Sequence, residues 1–280
     1  MFESPEILLI LLDAACLTLV GLPFCILNNQ QRPFKRGFFC NDESIRYPLK
    51  DDTISYQLLG GVMIPFCLIV IICGEILSVY LSRIKNQLLG KRYVSCLYKA
   101  VGSYLFGAAA NQSLTDIAKY SIGRLRPHFL AACKPAWERI NCTAGGYVEN
   151  FTCSDTLQED EARLSFYSGH SSFSMYCMLF LIMYLQARLK SKWTRLLRPT
   201  IQFFLFVTAV YVGLTRVSDY KHHWSDVFVG LLNGGFVAVF TVFCVSNFFA
   251  QPVKPVVSQQ EDVGHNLQEP SSGNHYGSTD

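Results

Sequence analysis

The sequence predicts an all-α, polytopic membrane protein whose six transmembrane helices form one bundle. Three observations carry this reading. Half of the 280 residues are hydrophobic and only 16% are charged. Apolar stretches recur at about 7–27, 56–81, 94–118, 171–187, 199–215 and 227–249. Most approach the roughly 20 residues that cross a hydrocarbon core about 30 Å thick. No alternating ten-residue pattern marks the strands of a membrane barrel. The bundle is expected over residues 1–250. Residues 250–280, rich in Gln, Ser, Gly and Asn, are expected to form a disordered cytoplasmic tail.

The first span does not read as a cleavable leader, because its start (Met-Phe-Glu-Ser-Pro-Glu) has no basic region and its apolar core is long. The third span is the least apolar. Lys99, Asn111 and Asp116 stand among small residues there, which suits a helix packed inside the bundle. The net charge of +3 shows no basic stripe for nucleic acid, and no Gly-rich nucleotide loop or internal repeat is present.

Six spans place both termini on one side, together with loops 83–92 and 188–198. Loops 28–55, 119–168 and 216–224 fall on the other. The short loops are densely basic, with Arg83, Lys85, Lys91 and Arg92 in one and Arg188, Lys190, Lys192, Arg195 and Arg198 in the next. Density near span ends favours the cytosol for them. The raw count of Lys and Arg favours the opposite loops, so charge alone leaves orientation open. Two sequons, Asn141-Cys142-Thr143 and Asn150-Phe151-Thr152, assign loop 119–168 to the lumen or exterior. A third, Asn111-Gln112-Ser113, lies within a span, out of reach of glycosylation. Of eleven cysteines, Cys40, Cys133, Cys142 and Cys153 fall on that same exterior side, where disulfides persist. Cys142 with Cys153 is the first pairing expected, although spacing does not fix connectivity.

Parity brings three clusters to one membrane surface: Lys119 to Pro127, Ser168-Gly169-His170, and Arg216 to Asp226. Together they offer three cations, two imidazoles and a carboxylate, a set suited to holding a phosphate and attacking its phosphorus. Each piece has a plainer reading. Lys119 alone reads better as a cation serving a helix dipole or snorkelling, with Asp116 as its partner. Arg124 and Arg126 alternate, so on an extended segment they point in similar directions. Ser168 is more often a simple N-cap, while Gly169 lets a ligand approach the backbone at a helix start. His222 and Asp226, four apart, face each other on a helical turn, and a carboxylate on one ring nitrogen frees the other as a nucleophile. His223 competes for the same carboxylate. A polar cluster anchoring the sixth span explains this last group about equally well. Zinc is disfavoured, because two His and one Asp lack further ligands such as HExxH or CxxC.

These residues resemble the phosphatidic acid phosphatase type 2 superfamily, and more closely the animal lipid phosphate phosphatases. That family's motifs K-x6-RP, P-S-G-H and S-R-x5-H-x3-D read here as KYSIGRLRP, YSGH and TRVSDYKHHWSD. Tyr167 and Thr215 depart from the pattern without removing a chemical group. The likeness covers about residues 5–250. It implies that Lys119, Arg126 and Arg216 bind phosphate, with hydrogen bonds from Ser168 and Gly169. It further implies that His222 is the nucleophile held by Asp226, and that His170 is the general acid. The resemblance implies no cofactor and no metal. Its substrates would be phosphatidate, lysophosphatidate, sphingosine 1-phosphate and ceramide 1-phosphate, met at the plasma membrane or in the endoplasmic reticulum or Golgi lumen. The implied partners are lipid phosphates and membrane lipid, with a homo-oligomer left open. A silent lipid-phosphate-binding relative and a lipid phosphotransferase stand as alternatives. A transporter, suggested by Asp13, Glu75 and Asp116, finds no inverted repeat to support it.

Overall fold

A computed structural model describes residues 4–30, 32–83, 90–142, 146–189, 195–246 and 248–249. Six long helices are found among them: α1 (Ser4–Gln30), α2 (Tyr56–Arg83), α3 (Gly90–Ile122), α6 (Gly169–Arg188), α7 (Leu197–Ser218) and α8 (Trp224–Phe240). The last continues as a π-helical turn, Thr241–Ser246. Two short helices, α4 (Phe129–Cys133) and α5 (Thr156–Glu161), lie between α3 and α6. The chain also forms a feature that the all-α reading did not foresee. Strands β1 (Phe38–Phe39) and β2 (Tyr147–Val148) pair antiparallel, with Phe38 opposite Val148. Two residues per strand are too few to leave a periodic signal in the sequence. The tail 251–280 and, of the basic residues of loops 83–92 and 188–198, Lys85, Lys190 and Lys192 lie outside the described residues.

Among the described residues, four segments are long and apolar enough to cross a membrane: Ile7–Asn29, Tyr56–Leu77, Leu197–Ser218 and Trp224–Ser246. Several such helices in one chain make this a multi-pass membrane protein. Both α3 and α6 fall short of that apolarity, and their positions explain why. α6 packs against α2, α3, α7 and α8, so it meets protein on most sides and tolerates the buried serines 171, 172 and 174. α3 packs against α1, α2, α6 and α8.

Where these two helices meet α8, a small polar network replaces apolar packing. Ser172 donates to Asn111 Oδ1 at 2.7 Å, and Asn233 donates to both at 3.1 Å. The approach of α8 to α6 depends on glycine. A Cβ at Gly230 would stand 2.6 Å from the Ser168 carbonyl oxygen, and one at Gly234 would strike that of Ser172. Small residues four apart let two helix backbones come this close. The acids within the spans are structural here. Glu75 takes Tyr184 Oη at 3.1 Å and Arg188 at 2.9 Å, Asp116 takes Asn28 at 2.6 Å and Gln112 at 3.3 Å, and Asp13 takes Tyr98 at 2.7 Å. Asp116 is thus engaged with amides rather than in an ion pair with Lys119.

At one end of the bundle, loops 32–55 and 123–168 fold into a cap with its own apolar cluster, including Phe38, Ile45, Leu125 and Phe129. Arg163 lies over the rings of Phe129 and Phe151, at 5.1 and 5.3 Å from their centroids. Two disulfides staple the cap, and they correct the expected pairing of Cys142 with Cys153. Cys40 bonds Cys142, and Cys133 bonds Cys153. The β1–β2 ribbon draws Cys40 toward the chain just before β2. Cys133 closes α4 beside an isolated bridge between Pro135 and Cys153, where Ser154 N donates to Cys133 O at 2.9 Å. Asn141 and Asn150 are both exposed on this cap, while Asn111 is fully buried.

Candidate active site

The three sequence clusters meet where the cap closes on the bundle. Gly123, at φ +58°, ends α3 with its N–H bonded to Lys119 O at 3.1 Å. That left-handed residue turns the chain so that 124–126 runs back beside 162–165. Arg126 N donates to Ala162 O at 2.8 Å and Ser165 N to Arg124 O at 3.0 Å. The first motif is thereby tied to the segment that leads into the second.

Ser168 is the N-cap of α6. Its hydroxyl accepts from Ser171 N at 3.4 Å and contacts Ser171 Oγ at 2.9 Å, while its N–H donates to Asp226 O at 3.0 Å. The structure therefore gives Ser168 the capping role that the sequence left open. Gly169 follows at the helix start, and a Cβ there would lie 3.2 Å from Lys119 Nζ. The ammonium and the positive end of α6 face the same small space.

Arg216, 2% exposed, leaves the last turn of α7. Its Nη2 donates to Asp52 at 2.6 Å and its Nη1 to Ile54 O at 3.1 Å. Its own carbonyl accepts from Lys221 N and His222 N at 3.0 and 3.2 Å, which shapes the turn between α7 and α8. Arg126 Nη1 donates to Glu161 at 3.0 Å. Both Arg126 Nε and Arg216 Nε are buried, with no hydrogen-bond partner among the described residues. Buried guanidinium donors normally find acceptors, so these two nitrogens are open to an anion.

His222 lies in the turn before α8, with its Nδ1 bonded to the Ser165 carbonyl at 2.7 Å. A carbonyl only accepts, so Nδ1 carries the hydrogen and Nε2 is left with the lone pair. Burial, then the charges of Arg126, Lys119, Arg216 and His170, hold the imidazole well below its usual pKa. These surroundings favour the neutral ring, with the Nε2 lone pair free. Burial and the nearby Arg216 also destabilise the Arg126 cation, against the pull of Glu161. An anion placed among these groups would relieve that crowding.

Asp226 stands 4.0 Å from His222 Nδ1, outside hydrogen-bond range. The i,i+4 contact expected from the sequence needs both residues on one helix, and α8 begins only at Trp224. His223 is the N-cap, and it takes the carboxylate instead, with N and Nδ1 each 3.1 Å from Oδ2. Arg124, the arginine that the sequence could not distinguish from Arg126, bonds Asp226 Oδ1 at 2.6 Å.

His170 opens α6 with Nε2 on the Ile54 carbonyl at 3.1 Å and the Tyr56 ring edge-on at 5.8 Å. The stretch 50–56 is the part of the site that the sequence analysis missed. Thr53 donates to Asp219 through N and Oγ1 at 2.8 and 2.7 Å, which fixes the stretch to the end of α7. Burial alone would raise the Asp52 carboxyl, but the hydrogen bond and charge of Arg216, with Lys221 and His170, hold it below the usual range. An acidic Asp51-Asp52 pair just ahead of a span was the only signal available. Among the described residues, no three His, Cys, Asp or Glu side chains gather into a metal cage.

The PAP2 superfamily profile matches residues 100–250, the stretch that holds all three clusters. The chain is 56% identical over 278 residues to phospholipid phosphatase 1 of Rattus norvegicus, covering 99% of this chain and 98% of that protein. It is 54% identical over 253 residues to phospholipid phosphatase 2 of Homo sapiens, covering 90% and 88% respectively. No solved structure matches the chain. With a matched domain that contains the cation and imidazole cluster, and relatives alike over nearly its whole length, the chain belongs to the PAP2 superfamily and is a phosphatase.

Proposed function

We propose that the protein removes the phosphate from lipid phosphomonoesters through a phosphohistidine on His222. The observation that carries this reading is the pair of buried, unpartnered guanidinium nitrogens beside an imidazole whose Nε2 keeps its lone pair. Arg126, Arg216 and Lys119 hold the phosphate oxygens and stabilise the charge that builds on them during transfer. His222 Nε2 attacks phosphorus, and the bond from phosphorus to the lipid oxygen breaks. His170 gives that oxygen a proton. With Nε2–H donating to Ile54 O, Nδ1 is the nitrogen that gives the proton, and it holds one only in the imidazolium form, which the charge of the bound phosphate favours. Water then attacks the phosphohistidine, His170 takes its proton, and inorganic phosphate leaves with His222 restored. Three cations supply the neutralising charge, so the reaction proceeds without a metal ion.

The relatives' names, the multi-pass helices and a site at the bundle end support lipid substrates. An amphiphile can keep its tail in the bilayer while its headgroup reaches the cations. Phosphatidate, lysophosphatidate, sphingosine 1-phosphate and ceramide 1-phosphate share that chemistry. In this reading α3 and α6 also cross the membrane, and the cap faces the exterior or lumen. The stapled cap and its exposed sequons support that orientation. The plasma membrane is the first location this suggests.

The test is hydrolysis of dioctanoyl phosphatidate by the purified protein in detergent with EDTA. Wild type is expected to release phosphate and His222→Ala to lose at least about a thousandfold in kcat while unfolding at the same temperature. Full activity in His222→Ala would remove the nucleophile assignment.

A further inference from the structure

The nucleophilic imidazole is held by a peptide carbonyl and not by the carboxylate four residues on. His222 Nδ1 lies 2.7 Å from Ser165 O and 4.0 Å from the nearest Asp226 oxygen. Whatever fixes Ser165 therefore fixes the nucleophile. Ser165 is fully buried, and all three of its polar groups are engaged. Its N–H donates to Arg124 O at 3.0 Å, its Oγ donates to Asp226 Oδ2 at 2.6 Å, and its carbonyl accepts from His222. Asp226, also fully buried, is in turn gripped by Arg124 Nη1 at 2.6 Å. The same Nη1 reaches Ser225 Oγ at 2.9 Å, which ties the arginine to the first turn of α8.

We propose that Arg124 and Ser165 are positioning residues for His222, acting through Asp226 in a relay that ends on the Ser165 carbonyl. The proposal rests on the phosphohistidine reading above and adds the parts that aim its nucleophile. The chemistry favours this arrangement over a direct carboxylate. A carboxylate at hydrogen-bond distance stabilises imidazolium, which has no lone pair to attack with. A carbonyl fixes the same tautomer with a dipole and leaves the ring neutral. Arg124 meets the charge of Asp226, so the carboxylate can hold Ser165 without calling a proton onto His222. It also separates the two arginines of the first motif. Arg126 keeps a free Nε beside the nucleophile, while Arg124 faces the carboxylate behind it.

The experiment measures kcat, KM and inhibition by orthovanadate on dioctanoyl phosphatidate for the full-length protein in detergent. Arg124→Gln is expected to lower kcat by roughly 100-fold, as for a misplaced reacting group, with KM and vanadate inhibition within about twofold of wild type. Ser165→Ala keeps the carbonyl and loses only the Oγ tether, so its kcat falls by about tenfold. Arg124→Lys recovers part of the loss, because both side-chain bonds of Arg124 come from one nitrogen and an ammonium can make them. The Arg124→Gln, Ser165→Ala double variant loses no more than Arg124→Gln alone, as expected when two residues act along one path.

The relay is overturned if both folded single variants keep wild-type kcat, or if their losses multiply in the double variant. It is also overturned if Arg124→Gln raises KM and weakens vanadate together at unchanged kcat, since Arg124 would then touch phosphate. Should Arg124→Gln fail to fold, Arg124→Lys and Ser165→Ala decide by the same criteria. These outcomes stand apart from the nucleophile assignment, which falls only if His222→Ala is active.

Discussion

α1 and α6 are opposites. α1 is the most apolar of the candidate spans, and residues such as Leu8, Leu9 and Leu11 are more than 60% exposed along it. α6 carries three serines and a histidine, and the first ten of its residues are all buried. Hydropathy finds α1 at once and gives α6 only weakly. The difference teaches that apolarity in this chain marks the surface offered to lipid, while polarity within a long helix marks contact with protein and with the reacting groups. The two helices that look least like spans, α3 and α6, are the ones that carry the first two clusters of the candidate site.

That contrast can be tested from its strong end. Gly234→Leu would drive a side chain from α8 into the Ser172 carbonyl on α6. The close approach leaves no rotamer to escape to, and a loss of roughly 3 kcal/mol or more is expected, read as a drop in the thermal midpoint in detergent. A midpoint equal to wild type would mean that α6 and α8 are not packed as described.

Protons probe the same buried end. His128, 3% exposed, has its Nδ1 2.8 Å from Tyr220 O. Burial, aided by the charges of Arg126 and Lys221, pushes its pKa down to about 4. The unfolded chain takes up a proton near pH 6.5, so stability is intact above that pH and is lost as pH falls toward 4. The linkage amounts to about 3 kcal/mol at most. His222 adds to it in the same direction. His128→Gln retains a donor and cannot titrate, so its midpoint should fall less than that of wild type between pH 7 and 4.5. Parallel curves would remove His128 from the account.

The weak end gives the smallest effect. Leu9→Ala, at a position 61% exposed on α1, should change the midpoint by less than about 0.5 kcal/mol equivalent. A loss comparable to that of Gly234→Leu would show that α1 is covered by something other than lipid or detergent, and the contrast would fail.

Much of this was legible from residues alone. Apolar runs of twenty or so residues coincide with the six long helices, four of which are long and apolar enough to cross a membrane. The motif spacings located the cations and imidazoles at helix ends, and in the folded chain Lys119 does meet Gly169. What stayed hidden depended on backbone paths. The partner of His222 could not be read, because an i,i+4 rule holds only inside a helix and His222 lies before the N-cap of α8. The disulfides could not be paired, because a ribbon of two-residue strands decides which cysteines approach. Asp52 and Ile54 act from a loop, Ile54 through its carbonyl oxygen, an atom that every residue type shares. No pattern of side chains announces a carbonyl.

That oxygen at position 54 deserves a final look for what it obliges. It is the common acceptor for guanidinium 216 and imidazole 170, so the proposed proton source and one of the proposed anion clamps share a single mount. Tilting the mount shifts both together, and neither can be re-aimed without disturbing its companion. Lesions in the strip ahead of α2 should therefore resemble simultaneous damage to binding and protonation, though they alter no residue proposed to meet the phosphate.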